Sequence, residues 1–154
     1  MRLLISFLFV CIWLVSFSQM TFAEMKNIQK MDLNKFETYC ISKGYEFNET
    51  IDNGYSFGMS YVKGFDKNTK YLSFYETYVL DDKNVLCYQT SSSSEYISIK
   101  TQIEAAGLKL FNTFTHNGYL HKDYSNSQYE VTLVTGKGLR LNLDIYEITL
   151  IKKN

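Results

Sequence analysis

The chain has 154 residues, with 16 Lys+Arg against 16 Asp+Glu and a formal net charge of +0. That balance leaves no basic excess to hold a phosphate backbone, so nucleic acid is excluded as the expected partner. A hydrophobic content of 45% with 21% charged residues excludes a disordered chain, and the length suits one domain with a substantial core.

Met1-Arg2 opens the chain with one positive charge, and an apolar-rich stretch follows from Leu3 to Phe17. Thr21-Phe22-Ala23 then places small residues at −3 and −1 before Glu24, which reads as a secretory signal peptide over residues 1–23. About 15 apolar residues fall short of the roughly 20 that a membrane span needs. Bulky Leu8-Phe9-Val10 before Cys11 does not suit a lipoprotein site. Removing 23 of the 154 residues takes Arg2 with it and leaves 131 with a net charge of −1. The expectation is an exported protein, periplasmic or extracellular, with no stable membrane insertion after cleavage. Residues 24–31 read as a polar N-terminal segment and 32–154 as a single domain.

The mature chain keeps two cysteines, Cys40 and Cys87. An even number in an oxidising compartment points to one disulfide. Closing a loop of about 47 residues would stabilise the fold by roughly 4 kcal/mol. The alternative is two separate buried thiols.

A helix is predicted from Leu33 to Lys43. Asp32 is its N-cap, Leu33, Phe36, Cys40 and Ile41 form its stripe, and Gly44 takes the left-handed position after it. A second helix is predicted over 93–106, where Ser92 and Glu95 offer a capping box, Tyr96, Ile99, Ile103 and Ala106 mark the buried stripe, and Gly107 ends the helix. Extended stretches follow each helix, at about 45–51, 55–62, 70–79 and 85–90, then 108–115, 119–124, 128–135 and 142–151. Asp81-Asp82-Lys83-Asn84 and Gly136-Lys137-Gly138 read as connecting turns, and Gly64-Phe65-Asp66-Lys67-Asn68 as a longer loop.

Gly44 to Ile51 aligns with Gly107 to Phe114 at an offset of 63, and Asn53-Gly54-Tyr55 aligns with Asn117-Gly118-Tyr119 one residue later. Each Asn-Gly pair suits a type I′ hairpin turn. The expected class is therefore α+β: a tandem repeat of a helix followed by about four antiparallel strands, residues 32–90 and 92–151. The two units would form one curved antiparallel sheet with two helices packed on one face. This arrangement resembles that of the β-lactamase inhibitory proteins over roughly residues 32–151. No motif matches residue by residue. What the resemblance implies is a sheet surface that grips an enzyme.

Two helices cannot cover eight strands on both faces, so part of one face is expected to meet a partner. Tyr55, Phe57, Met59 and Tyr61 read as the core face of their strand, which leaves Tyr71, Tyr75, Tyr88 and Tyr129 as the candidate binding surface. All 13 tyrosines lie beyond residue 23, and tyrosine buries apolar area at low entropic cost. Biased composition is the competing explanation for that number.

His116 and His121 bracket the Asn117-Gly118 turn, so that His116 opposes Tyr119 and Phe114 opposes His121. With Asp123 they form the one candidate metal set. Hairpin-tip histidines ordinarily meet solvent, so no metal and no cofactor is assigned. No nucleophile elbow, phosphate loop or zinc-protease signature occurs. The expected function is an exported, non-catalytic protein-binding module, an inhibitor or immunity protein being its sharper form. The alternatives are a cell-envelope assembly or small-ligand component and, behind it, a hydrolase.

Overall fold

Three helices and eight strands run along the computed structural model, which describes residues 19–64, 69–77, 83–137 and 143–153. In chain order they are α1 (Phe22–Ile28), α2 (Leu33–Ser42), β1 (Glu46–Asp52), β2 (Ser56–Lys63), β3 (Lys70–Thr77), β4 (Lys83–Thr90), α3 (Ser93–Ala105), β5 (Lys109–His116), β6 (Tyr119–Ser125), β7 (Tyr129–Lys137) and β8 (Asp144–Lys152). The strands form one sheet in the order β1-β2-β3-β4-β8-β7-β6-β5, every neighbour antiparallel. The α+β class and the single antiparallel sheet therefore hold.

Local chemistry sets the helix ends. The Asp32 carboxylate accepts the Lys35 N–H at 2.9 Å, and Ser92 Oγ accepts the Glu95 N–H at 3.3 Å. After α2 the Tyr45 N–H returns to the Cys40 carbonyl at 2.9 Å, and after α3 the Leu108 N–H returns to Ile103 at 3.3 Å. Both returns need a left-handed residue, supplied by Gly44 (φ 74°) and Gly107 (φ 78°).

The pairing of β5 with β6 repeats that of β1 with β2 when every number is raised by 63. Phe47↔Tyr61 becomes Leu110↔Tyr124, and Ile51↔Gly58 becomes Phe114↔His121. The bulge between Phe47 and Glu49 recurs between Leu110 and Asn112. The hairpin ends differ. Asn117 (φ 50°) and Gly118 (φ 81°) close a two-residue turn as expected. Asn53-Gly54 does not: Tyr55 is added, and Asn53 Oδ1 accepts the N–H groups of Tyr55 and Ser56, each at 2.9 Å. The turn expected at 81–84 is also corrected, because β4 already begins at Lys83. Asp81, Asp82, Gly138 and residues 65–68 lie outside the described residues.

Register sorts the strand side chains into two sets, because paired residues share a face. One set forms the core: Tyr61, Leu72, Phe74, Leu86, Tyr88, Val131, Leu133, Ile148 and Leu150 are all at most 1% exposed. Phe36 of α2 meets the rings of Tyr61 and Phe74 at 5.6 and 5.2 Å, and Tyr96 of α3 stacks on Tyr146 at 4.8 Å. Tyr61 is core as expected and Met59 packs against it. Tyr55 lies outside the strand and is exposed.

The largest correction concerns residues 24–31, which are not a polar tail. They contain most of α1, capped by Thr21 Oγ1, which accepts the Glu24 N–H at 3.1 Å. Phe22, Met25 and Ile28 recur at helical spacing and are buried, with Met20 before them. The helix ties into both of its neighbours. Tyr39 of α2 donates to Glu24 Oε1 at 2.6 Å, and the Phe22 N–H donates to Gln102 of α3 at 3.0 Å. Just beyond α1, the Gln29 side-chain amide donates to the carbonyls of Asn84 in β4 and Leu150 in β8.

Glu95 was read as the return half of a capping box, but its carboxylate turns inward instead. It is 1% exposed and accepts from the Met20 N–H at 2.9 Å, Lys70 Nζ at 2.9 Å and Thr90 Oγ1 at 3.0 Å. A buried charge held this way is costly to strip of its partners. We expect Glu95→Ala to destabilise the protein by about 3–5 kcal/mol, because Lys70 and the Met20 N–H lose their acceptor. Urea unfolding checks this as a lower midpoint with an unchanged slope.

Candidate functional site

Register decides which of the chosen tyrosines can face a partner. Tyr71 pairs with Val62 and Gln89, in the set opposite the core, and is 37% exposed. Tyr88 pairs with Leu72 and Ile148 and is fully buried, and Tyr129 is 9% exposed with its ring 6.4 Å from Phe22. These two belong to the core, not to a binding surface. The reason is visible in β4, where Val85-Leu86-Cys87-Tyr88 is apolar at both parities, so alternation alone cannot orient it. Burial pushes the Tyr88 phenol far above its ordinary pKa, with the Tyr45 and Glu95 side chains adding to the shift. The side chain of Tyr75 lies outside the described residues.

Both cysteines are free thiols. Cys40 is buried on α2, in the core. Cys87 pairs with Ser73 and Thr149, in the other set, between core-facing Leu86 and Tyr88. The sheet itself stands between the two sulfurs, and the expected disulfide does not form. Burial pushes the Cys40 thiol up to about 12, with the Glu37 charge contributing, and raises Cys87 still further.

Among the described residues, exposed large apolar side chains include Ile41, Phe47, Tyr55, Tyr71 and Ile97, and a run of them lies at the β5 margin. Every residue of β5 is exposed, and Leu110, Phe111 and Phe114 are 49%, 64% and 42% exposed. Phe111 is the bulge residue. Phe114 stacks on His121 at 4.7 Å with an interplanar angle of 10°, and His116 lies edge-on to His121 at 6.4 Å. The His116 ring contacts Asn117 Nδ2 at 3.0 Å. Asp123 accepts from Asn112 Nδ2 at 3.0 Å and from Thr132 Oγ1 at 2.9 Å, which links β5, β6 and β7. Of the candidates His116, His121 and Asp123, the two rings are neighbours, His121 stacks on Phe114, and the Asp123 carboxylate is taken up by amide and hydroxyl. Among the described residues no group of three His, Cys, Asp or Glu side chains is placed to hold a metal ion.

Tyr119 borders this patch. A Cβ at Gly136 would come within 2.3 Å of its ring, so the missing side chain is what lets the ring lie over β7, with the phenol donating to the Lys137 carbonyl at 3.2 Å. Sequence reasoning took Gly136 as a turn and missed this contact. The signal available was a glycine inside a β-patterned stretch.

β1, at the opposite margin, is also exposed along most of its length, but it carries Glu46, Glu49 and Asp52. β5 has no carboxylate, and its one formal charge is Lys109 at the end. Two clefts flank the margins. One of about 200 Å³ is lined by Phe111, Asp123, Glu130 and Thr132, and one of about 250 Å³ by Glu46, Asn48, Val62 and Tyr71. Both fall below the roughly 300–1,000 Å³ of ordinary small-molecule sites. No helix among the described residues is long and apolar enough to cross a membrane. No protein-family model, curated protein or solved structure matches the chain.

We expect a protein lacking residues 1–18 to titrate two thiols in urea without any reductant. The folded state keeps Cys40 protonated up to about pH 12, against an ordinary value of 9.0. Its contribution to stability is therefore whole below about pH 9 and is lost as the pH rises towards 12. Thermal melts across that range check the sign, which is a falling midpoint on the alkaline side.

Proposed function

We propose that this chain is an exported, non-catalytic protein-binding module built from a duplicated helix-plus-four-strand unit, residues 32–90 and 92–151. The duplicated reading is supported by the β1–β2 and β5–β6 pairings, which share one register, one bulge position and one helix-ending geometry at an offset of 63. In this reading the helices share the core side of the sheet, because the strand residues their rings touch all belong to the core set. The other side is left for company.

The observation that carries the binding function is the β5 margin: eight consecutive exposed residues on a strand that ends the sheet order, with three large apolar side chains and no carboxylate. Natural edges are blunted by charge, as β1 is. An edge without carboxylates, charged only at Lys109 at its end, instead offers a ladder of backbone donors and acceptors to an extended segment, with Phe111, Phe114 and Leu110 supplying contact area. The partner is a protein that adds a strand there, as the target of an inhibitor or the toxin met by an immunity protein would. Tyr71 is too far across the sheet order to join this contact.

The test compares tagged protein recovered from the producing cell. Wild type and a Tyr55→Ser control are expected to retain one stoichiometric partner. Phe111→Glu/Phe114→Glu is expected to lose it at least tenfold, with an unchanged circular dichroism spectrum. Equal capture by the double variant overturns the edge assignment, and no partner on wild type overturns the binding function.

A further inference from the structure

We propose that the leader is cut between Ser18 and Gln19, not between Ala23 and Glu24, so that the mature protein begins at Gln19 with α1 intact. This rests on the export reading. It adds where the mature fold starts.

Residues 20–22 are built into the fold. Met20 is 4% and Phe22 2% exposed, both in the core, and Phe22 meets Tyr129 edge to face. Thr21 caps α1, the Met20 N–H donates to the buried Glu95 carboxylate, and the Phe22 N–H donates to Gln102. A protein beginning at Glu24 would lose two core side chains, the cap of α1 and both hydrogen bonds to α3. Gln19, by contrast, is exposed.

The sequence supplies a second junction of the required kind. Leu3 to Val15 is an apolar core of suitable length, and Ser16-Phe17-Ser18 places small residues at −3 and −1 before Gln19. A secretory signal peptidase hydrolyses the Ser18–Gln19 peptide bond. Water supplies the hydroxyl to the Ser18 carbonyl and a proton to the Gln19 nitrogen.

Intact mass and amino-terminal sequencing of the exported full-length gene product test the assignment. The expected result is a start at Gln19, free or cyclised with loss of ammonia. A start at Glu24 overturns the proposal and leaves export standing, whereas an uncut chain starting at Met1 overturns both. Two variants sharpen the test. Ser18→Leu is expected to remove the Gln19 product and accumulate precursor. Ala23→Leu, at an exposed helix position, is expected to leave processing unchanged. Processing lost in Ala23→Leu but kept in Ser18→Leu is the opposite outcome and overturns the cut site.

Discussion

One buried carboxylate constrains much of this molecule. Glu95 sits in the first turn of α3 yet reaches the backbone ahead of α1, the Lys70 ammonium on β3 and the Thr90 hydroxyl at the end of β4. A charge removed from water is tolerated only when its lone pairs are taken up, so these groups must converge for the fold to exist. The convergence brings the segment ahead of α1, the first half of the sheet and α3 to one point. Helix α1 extends the same logic by touching α2 through Glu24 and Tyr39 and α3 through Gln102, while Gln29 just after it reaches the two central strands. Helix α1 thus ties both later helices together, and the residue just after it reaches the centre of the sheet.

Much of the architecture was legible in the sequence because it is written in local chemistry. Asp32, Ser92, Gly44 and Gly107 mark helix ends by hydrogen bonding and by backbone freedom, which need no knowledge of the rest of the chain. Strand limits fell close to those predicted for the same reason. What escaped was decided over distance. Glu95 fits a capping box in its own four residues, and only the presence of Lys70 and Met20 draws it inward. Met20 and Phe22 look like the tail of a leader when read beside Leu3–Phe17, and like core when their contacts with Glu95, Gln102 and Tyr129 are seen.

The candidate surface was less legible than the fold. Tyr88 sits in a strand that is apolar at both parities, so alternation could not orient it, whereas Tyr129 alternates with Glu130 and Thr132 and shares its parity with the core residues Val131 and Leu133. Cys40 and Cys87 looked like partners because of compartment and number, but a helix on one side and an outer-set strand position on the other place a sheet between them. The pairing around Asn117-Gly118 was correctly anticipated, because a two-residue turn fixes register with no outside information. Phe111 was missed because a bulge lies in the backbone and leaves no mark in composition.

The two margins of the sheet differ in a way that bears on stoichiometry. β1 presents three carboxylates in seven residues, and two such strands brought side by side would repel. β5 presents none. A second copy meeting β1 edge to edge would set carboxylate against carboxylate, whereas β5 opposes no such charge to its own duplicate.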